Sequence, residues 1–369
     1  MSAISIVILI FAVLGAVDYL LGNRIGVGRE FERGFSLFAP MALTMLGMLV
    51  LAPAVGVWLA PLFDGFYRVF GIDPSIIPAS VLANDMGGMT LSLGACKDPG
   101  IGAYNAFVTS SMMGTLISFA LPFSLGLVKR EQHNELFLGL LCGIVTVPVG
   151  CFVAGLICGL PLGALLLDLL ILIILGLIVG LALVFFRRAC IRCFSALGIL
   201  MRVLSILGLL LAIFTFLTGV EVDPHFDSLE NAAMVCVNAC VTLSGALPFM
   251  ALVTRLLHRP LGWLGSKIGV SGVSAAGLLG TVVTSTVTFG MLAQMDRRGA
   301  VLNSAFAVSA AYALGSHLAF TMAYDASYAL PMIVGKLISG IAAVALAVFM
   351  TRGEAYRGKA NTYTEASHA

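Results

Sequence analysis

Nine stretches of this chain are apolar over a spanning length: 3–22, 36–63, 101–126, 135–158, 160–186, 196–219, 230–254, 300–323 and 328–351. A hydrocarbon core about 30 Å thick is crossed by about 20 helical residues. Lipid offers no partner to a backbone N–H or C=O, so a run this long and this continuously apolar must satisfy itself as a helix. The chain is 60% hydrophobic and 10% charged, against roughly 25% charged residues in a soluble domain, and a single water-soluble core could not hide so much apolar surface. The expected fold is therefore an all-α polytopic membrane protein with about nine transmembrane helices. The N-terminus lacks a basic leader and a small-residue cleavage site, so its apolar run reads as a span rather than a signal peptide.

Two more segments are apolar but interrupted. One, near 76–96, contains Ser80-Val-Leu-Ala-Asn84-Asp85-Met86-Gly87-Gly88-Met89-Thr90 and ends at Lys97-Asp98-Pro99-Gly100. The other, near 269–295, contains Gly280-Thr281-Val-Val-Thr284-Ser285-Thr286-Val-Thr288 and ends at Asp296-Arg297-Arg298-Gly299. Loosened backbone at membrane depth is tolerated only around a cavity, and paired broken helices are the best sequence pointer to a carrier's binding site. If both segments return to the side they entered and the N-terminus is outside, sixteen Lys and Arg fall in inner loops and two, Arg68 and Lys97, outside. Full crossings would divide them evenly, so the positive-inside rule favours re-entrant segments.

The order span, span, re-entrant segment, span, span then occurs twice with opposite orientation. The expected organisation is a first repeat over 1–158, a linking span over 159–195, a second, inverted repeat over 196–351 and a polar cytoplasmic tail over 352–369. An offset of 198 residues pairs Thr90 with Thr288, Ala95 with Ala293, Asp98 with Asp296, Asn105 with Asn303 and Ser111 with Ser309. Inverted repeats of this kind are the plan of many alternating-access carriers.

Polar residues inside the spans nominate the site. A carboxylate at mid-membrane costs at least about 2.5 kcal/mol on insertion scales, so each needs a partner, a cavity or a role. Asp85, beside Asn84 and the flexible Gly87, would suit an ammonium group; the alternative is that it caps the following half-helix. Thr284, Ser285 and Thr286 offer hydroxyls and loosened carbonyls to a substrate hydroxyl or Na⁺, or bond back within their own helix. Asn105 and Ser111 follow the first segment. After the second, helical spacing sets Asn303, Ser309, Tyr312 and Ser316 on one side, as a cavity wall or a packing face of small residues. His317 could relay a proton or serve a hydrogen-bonded structural role. Lys336 could balance Asp85 or Asp325, or snorkel, whereas Asp18 and Asp168 read as structural.

No catalytic residue and no metal site is expected. Nucleotide-binding fingerprints and hydrolase motifs are absent from usable contexts. Cys190 and Cys193 form a C-x-x-C with no second ligand pair, and most of the eight cysteines lie in apolar runs as packing residues. A net charge of +2 with scattered basic residues excludes nucleic acid as a partner. The expected partners are the bilayer and a small-molecule amine, with a homo-oligomer left open. No cofactor is implied. Coupling to Na⁺ or H⁺ is also open.

Several strings resemble the ethanolamine permease family of ethanolamine-utilisation operons, EutH. They are Asn84-Asp85-Met86-Gly87-Gly88, Ser111-Met-Met-Gly114, Gly143-Ile-Val-Thr-Val-Pro148-Val-Gly-Cys151, Gln294-Met-Asp296-Arg-Arg298-Gly299, Ala305-Phe-Ala-Val-Ser309, Leu314-Gly315-Ser316-His317-Leu318 and Pro331-Met-Ile-Val-Gly335-Lys336. The resemblance covers nearly the whole chain. It implies a bacterial inner-membrane permease that takes up ethanolamine. The family pattern departs from this chain at Thr284-Ser285-Thr286-Val287, where it carries Asn-Asn-Ile-Pro, and at Ser316, where it carries Asp. A related amino alcohol or amine, or a different small polar solute on the same architecture, is the alternative substrate. A protonated amine would call for a carboxylate and aromatic faces, its hydroxyl for Ser, Thr or Asn.

Overall fold

The computed structural model describes residues 3–353 and 356, and within them it is all-helical. Among the described residues, eight helices are long and apolar enough to cross a membrane. In chain order, α1 (Ala3–Leu20) is followed by α2 (Gly28–Ser36) and α3 (Phe38–Met41), which runs through a π-helical turn at Ala42–Leu46 into α4 (Gly47–Phe70). The first interrupted segment comprises α5 (Ile76–Val81) and α6 (Gly88–Ala95). α7 (Pro99–Tyr104), π-helical backbone over Asn105–Gly114 and Leu116–Ala120, and α8 (Leu121–Leu127) form one continuous rod. Then come α9 (His133–Ile157), α10 (Leu162–Phe185), α11 (Arg187–Thr218) and α12 (Leu229–Ile268). The second interrupted segment is α13 (Gly272–Val283) and α14 (Ser285–Met291), and α15 (Arg297–Ala310), α16 (Ser316–Tyr324) and α17 (Ala329–Met350) complete the fold. The tail expected over 352–369 lies almost entirely outside the described residues.

Burial follows the order a bilayer imposes. The 99–127 rod is buried along most of its length, against α5, α6, α9 and α17. By contrast α1, α10 and α11 expose Leu9, Ile10, Val13, Leu166, Ile173, Leu177, Leu207 and Leu210 outward. In water such a surface would drive aggregation; in lipid it is the solvent-facing side. The rod widens where its hydroxyls compete for backbone: Ser110 Oγ donates to the Ala106 carbonyl and Thr115 Oγ1 to the Ser110 carbonyl at 3.0 Å. π-turns of this kind are enriched at functional sites.

Each interrupted segment doubles back so that its ends meet. The Asp73 carboxylate, just before α5, accepts the backbone N–H of Lys97 and Asp98 at 2.8 Å each. In the second segment, Asp296 Oδ1 accepts from the Ser271 N–H at 2.8 Å and the Ser274 hydroxyl at 2.6 Å. Burial alone would push the Asp296 carboxyl up, but these donors and the Gly299 N–H hold it below the ordinary carboxylate value. Asp98 and Asp296, paired by the 198-residue offset, each cap the helix that follows, α7 and α15.

One expected span is not a single helix. The run over 300–323 breaks after Ala310, turns through Ala311–Gly315 and resumes at Ser316. Tyr312 sits at φ 61°, in the left-handed region. The freed backbone groups do not go unpaired: the Tyr312 N–H bonds to the Thr281 carbonyl at 3.2 Å and the Leu314 N–H to the Val282 carbonyl at 3.0 Å. The end of α13 and the break between α15 and α16 thus satisfy each other. Gly315 is required there, because a Cβ at that position would lie 2.1 Å from the Val283 carbonyl oxygen.

Candidate functional site

The first segment breaks at Leu82–Gly87. Leu82 and Ala83 are extended, Asn84–Met86 form a single tight turn, and Gly87 takes φ 88° before α6 begins. The exposed backbone is met by side chains of neighbouring elements: Ser118 Oγ, 3.0 Å away, accepts from the Ala83 N–H. Asn84 is buried and donates from Nδ2 to the His317 carbonyl at 3.4 Å; its Oδ1 has no hydrogen-bond partner. Asp85 does not cap α6, whose N-cap is Gly87. Its Oδ2 instead accepts from Ser316 Oγ at 3.0 Å and lies 4.0 Å from His317 Nε2.

Beside this turn lies a cavity of about 440 Å³. Asp85 and Met86 form one wall, Thr115, Ser118, Phe119 and Phe123 of the 99–127 rod a second, and Tyr312, Ser316 and His317 a third. Thr44 and Met45 of the π-turn before α4, and Ser205 and the exposed Arg202 of α11, close the remainder. Among the described lining residues Asp85 is the single carboxylate. The aromatic rings are ordered around it: Phe119 stacks on Phe123 at 5.1 Å, meets Tyr312 edge-on at 5.9 Å, and Tyr312 lies 5.0 Å from the His317 ring.

Behind the wall the polar chain continues inward. His317 Nε2 is 3.5 Å from Thr115 Oγ1, and its Nδ1 is 3.1 Å from Lys336 Nζ. Lys336 is fully buried, so it does not snorkel, and its ammonium also donates to the Ser111 carbonyl.

Of the residues expected at the site, the structure gathers Asp85, Asn84, Gly87, Tyr312, Ser316 and His317 at or beside the cavity. Thr284, Ser285 and Thr286 stand one layer back. Thr284 caps α14 by accepting from the Thr286 N–H, and Ser285 and Thr286 reach the Tyr312 hydroxyl at 3.1 and 3.4 Å. The tip therefore holds Tyr312 rather than facing the cavity, because the left-handed turn at Tyr312 inserts the ring between them. Ser111 contributes its carbonyl, while its hydroxyl bonds back to the Val108 carbonyl at 2.8 Å.

Asn105, Asn303 and Ser309 are spent elsewhere. Asn105 Nδ2 donates to Asp168 Oδ2 at 2.8 Å and to Ser75 Oγ at 3.0 Å. Asn303 Nδ2 ties the Ser274 and Gly299 carbonyls at 2.8 and 2.9 Å, and Ser309 accepts from Ser339 at 2.7 Å. The break at Ala311 is the reason: it destroys the helical phase that would have aligned Asn303 and Ser309 with Ser316. Thr115, Ser118, Phe119 and Phe123 were not anticipated, although hydroxyls spaced along an otherwise apolar run were their visible signal.

The fold and cavity define a multi-pass helical membrane protein whose helices break around a largely apolar, aromatic-walled chamber entered by one carboxylate. The chain belongs to the family of ethanolamine utilisation protein EutH, whose sequence profile matches residues 1–350. It is 35% identical over 355 residues, 96% of this chain and 95% of the relative, to "Probable ethanolamine permease EutH" of Listeria monocytogenes serotype 1/2a. Identity is 34% to the protein of the same name from Escherichia coli K12, over 94% of this chain and 95% of that one. It is also 34% to "Uncharacterized protein YxeR" of Bacillus subtilis, over the whole chain and 99% of the relative. The permeases among these are named as transporters, not enzymes. No solved structure matches the chain.

Proposed function

We propose that this protein carries ethanolamine, or a closely related small amino alcohol, across the bacterial inner membrane. The observation that carries the reading is Asp85: a carboxylate held at a helix break, in contact with Ser316 and opening on an aromatic-walled cavity. A protonated primary amine needs a carboxylate and gains from ring faces, here Phe119, Phe123 and Tyr312. The hydroxyl of an amino alcohol finds acceptors in the oxygens of Thr115, Ser118 and Ser316, whose own protons go to the Ser110 and Gly114 carbonyls and to Asp85. The names of the curated relatives point to the same substrate.

In this reading both interrupted segments are re-entrant and related by an inverted repeat, with 159–195 as the linking span. The meeting of each segment's ends supports it. So does the way the basic loops come together: Arg297 pairs with Glu135 at 2.7 Å, and Lys129, Arg130, Arg187, Arg188 and Arg192 line one pocket. Those loops, and the C-terminus beyond α17, are assigned to the cytoplasm by the positive-inside rule.

The test is uptake of labelled ethanolamine by proteoliposomes at acidic external pH, where the neutral amine is scarce and leaks little. The expected result is saturable uptake that unlabelled ethanolamine competes away. Uptake no greater than in protein-free liposomes would sink the substrate assignment.

A further inference from the structure

Lys336 is the feature that the proposed function does not use. It sits on α17 with its whole side chain buried, and among the described residues no carboxylate lies within 4.0 Å of its ammonium. The titratable groups that face it are His317 on α16, Asp85 at the first break, and Cys151 on α9. An ammonium has three donors and no acceptor, so the 3.1 Å contact makes His317 Nδ1 the acceptor and leaves its proton on Nε2. That proton points toward Thr115 and Asp85, at 3.5 and 4.0 Å. Lysine, histidine and aspartate thus form one line from the buried helix to the cavity, with one cation and one anion at its ends.

Resting on the reading of Asp85 as the ammonium site, we propose that Lys336 is the site's resident cation and releases its proton when substrate binds, so that the carrier exchanges one substrate cation for one proton. With no substrate, the Lys336 ammonium balances the Asp85 carboxylate through His317. A second ammonium at Asp85 would leave one uncompensated positive charge among the buried side chains of Asp85, His317 and Lys336, which is costly in the membrane interior. Transfer along the line removes it. The Lys336 Nζ–H bond breaks as the proton passes to His317 Nδ1, and the Nε2–H proton passes to the Asp85 carboxylate once that side chain closes the 4.0 Å gap. Asp85 then gives the proton to cavity water as the substrate ammonium takes its place. Lysine ends neutral, histidine ends in its other tautomer, aspartate ends ionised, and the summed charge of this line and its substrate is the same before and after. The loaded and empty carriers therefore carry the same charge, and transport is electroneutral.

The experiment uses full-length protein in proteoliposomes at one mildly acidic pH on both sides, with a potassium diffusion potential of about 100 mV, inside negative, imposed or omitted. A substrate that moves as a cation with no counter-proton would accumulate up to about 50-fold at that potential. Wild type is expected to reach the same internal ethanolamine level with and without the potential, while a trapped pH dye reports alkalinisation of the lumen beyond that in protein-free liposomes. Lys336→Gln removes the exchangeable proton, and its uptake is expected to follow the potential. A purely structural lysine would not produce that change. Potential-driven accumulation by wild type overturns the exchange, whether or not the variant folds, as does a folded Lys336→Gln protein that remains indifferent to the potential. Absence of any wild-type uptake would instead overturn the assignment of ethanolamine as substrate.

Discussion

The two interrupted segments solve the same problem by different means. At the first break, exposed backbone is met by a side chain of a neighbouring element, Ser118 accepting from Ala83, while the Asn84 side chain reaches across to the His317 carbonyl of α16. This leaves the Asp85 carboxylate free to face the cavity. At the second, backbone meets backbone, with Tyr312 and Leu314 donating to Thr281 and Val282. There the side chains at the tip turn to Tyr312. Unwound backbone in a membrane must be satisfied by something. Where side chains do it the tip can carry chemistry, and where another backbone does it the tip becomes a scaffold.

Four substitutions and one control sharpen that contrast, and the largest effect is expected at the first break. Asp85→Asn keeps the shape but removes the charge that an ammonium requires. Charge-assisted hydrogen bonds of about 1.5–3 kcal/mol imply a loss of roughly 10- to 100-fold in substrate affinity, with folding little changed. Gly315→Ala should act oppositely. A Cβ 2.1 Å from the Val283 oxygen forces the paired breaks apart, and overpacking of about 1–3 kcal/mol should lower the thermal unfolding temperature in detergent. Gly272→Ala, where no atom lies within 4 Å of the new Cβ, is the matched control and should leave it unchanged. A Gly315→Ala protein as heat-stable as the control would remove the backbone-pairing account.

Asn105→Ala leaves buried Asp168 without its amide donor and is expected to cost about 1–3 kcal/mol of stability while substrate affinity stays within a few-fold. A selective loss of affinity would return Asn105 to the site. The smallest effect belongs to Thr286→Val, whose exposed hydroxyl touches the Tyr312 hydroxyl only at 3.4 Å. Uptake should change by less than about 3-fold, as fits the near-neutral effect of most exposed substitutions. A large loss there would mean that the second tip contacts substrate directly.

Much of this was legible in the residues because lipid is an unforgiving solvent. Apolar run length fixed most of the helices, and a carboxylate stranded at Asp85 in an apolar segment marked the cavity. The matching capping residues Asp98 and Asp296 announced where each doubled-back segment ends. The break at Ala311–Gly315 was not legible. Ala310-Ala-Tyr-Ala-Leu-Gly315-Ser contains no proline and one glycine. The backbone leaves the helix there because its partner is α13, some thirty residues earlier, and local propensity carries no trace of that pairing. Once the phase is lost at Ala311, spacing arguments for Asn303 and Ser309 fail while Ser316 and His317 survive. The long-range pairs Asn105–Asp168 and Lys336–His317 were hidden for the same reason: each joins helices whose packing no single segment specifies.

The central claim is that the first break, through Asp85, holds the substrate's ammonium while the second merely supports the wall. Calorimetric titration of ethanolamine into purified wild-type, Asp85→Asn and Ser285→Ala/Thr286→Val proteins tests it most directly. The structure predicts binding to wild type, near-normal binding to the double variant and loss of at least about tenfold in affinity for Asp85→Asn. Unimpaired binding to Asp85→Asn, with binding abolished in the double variant, would contradict it.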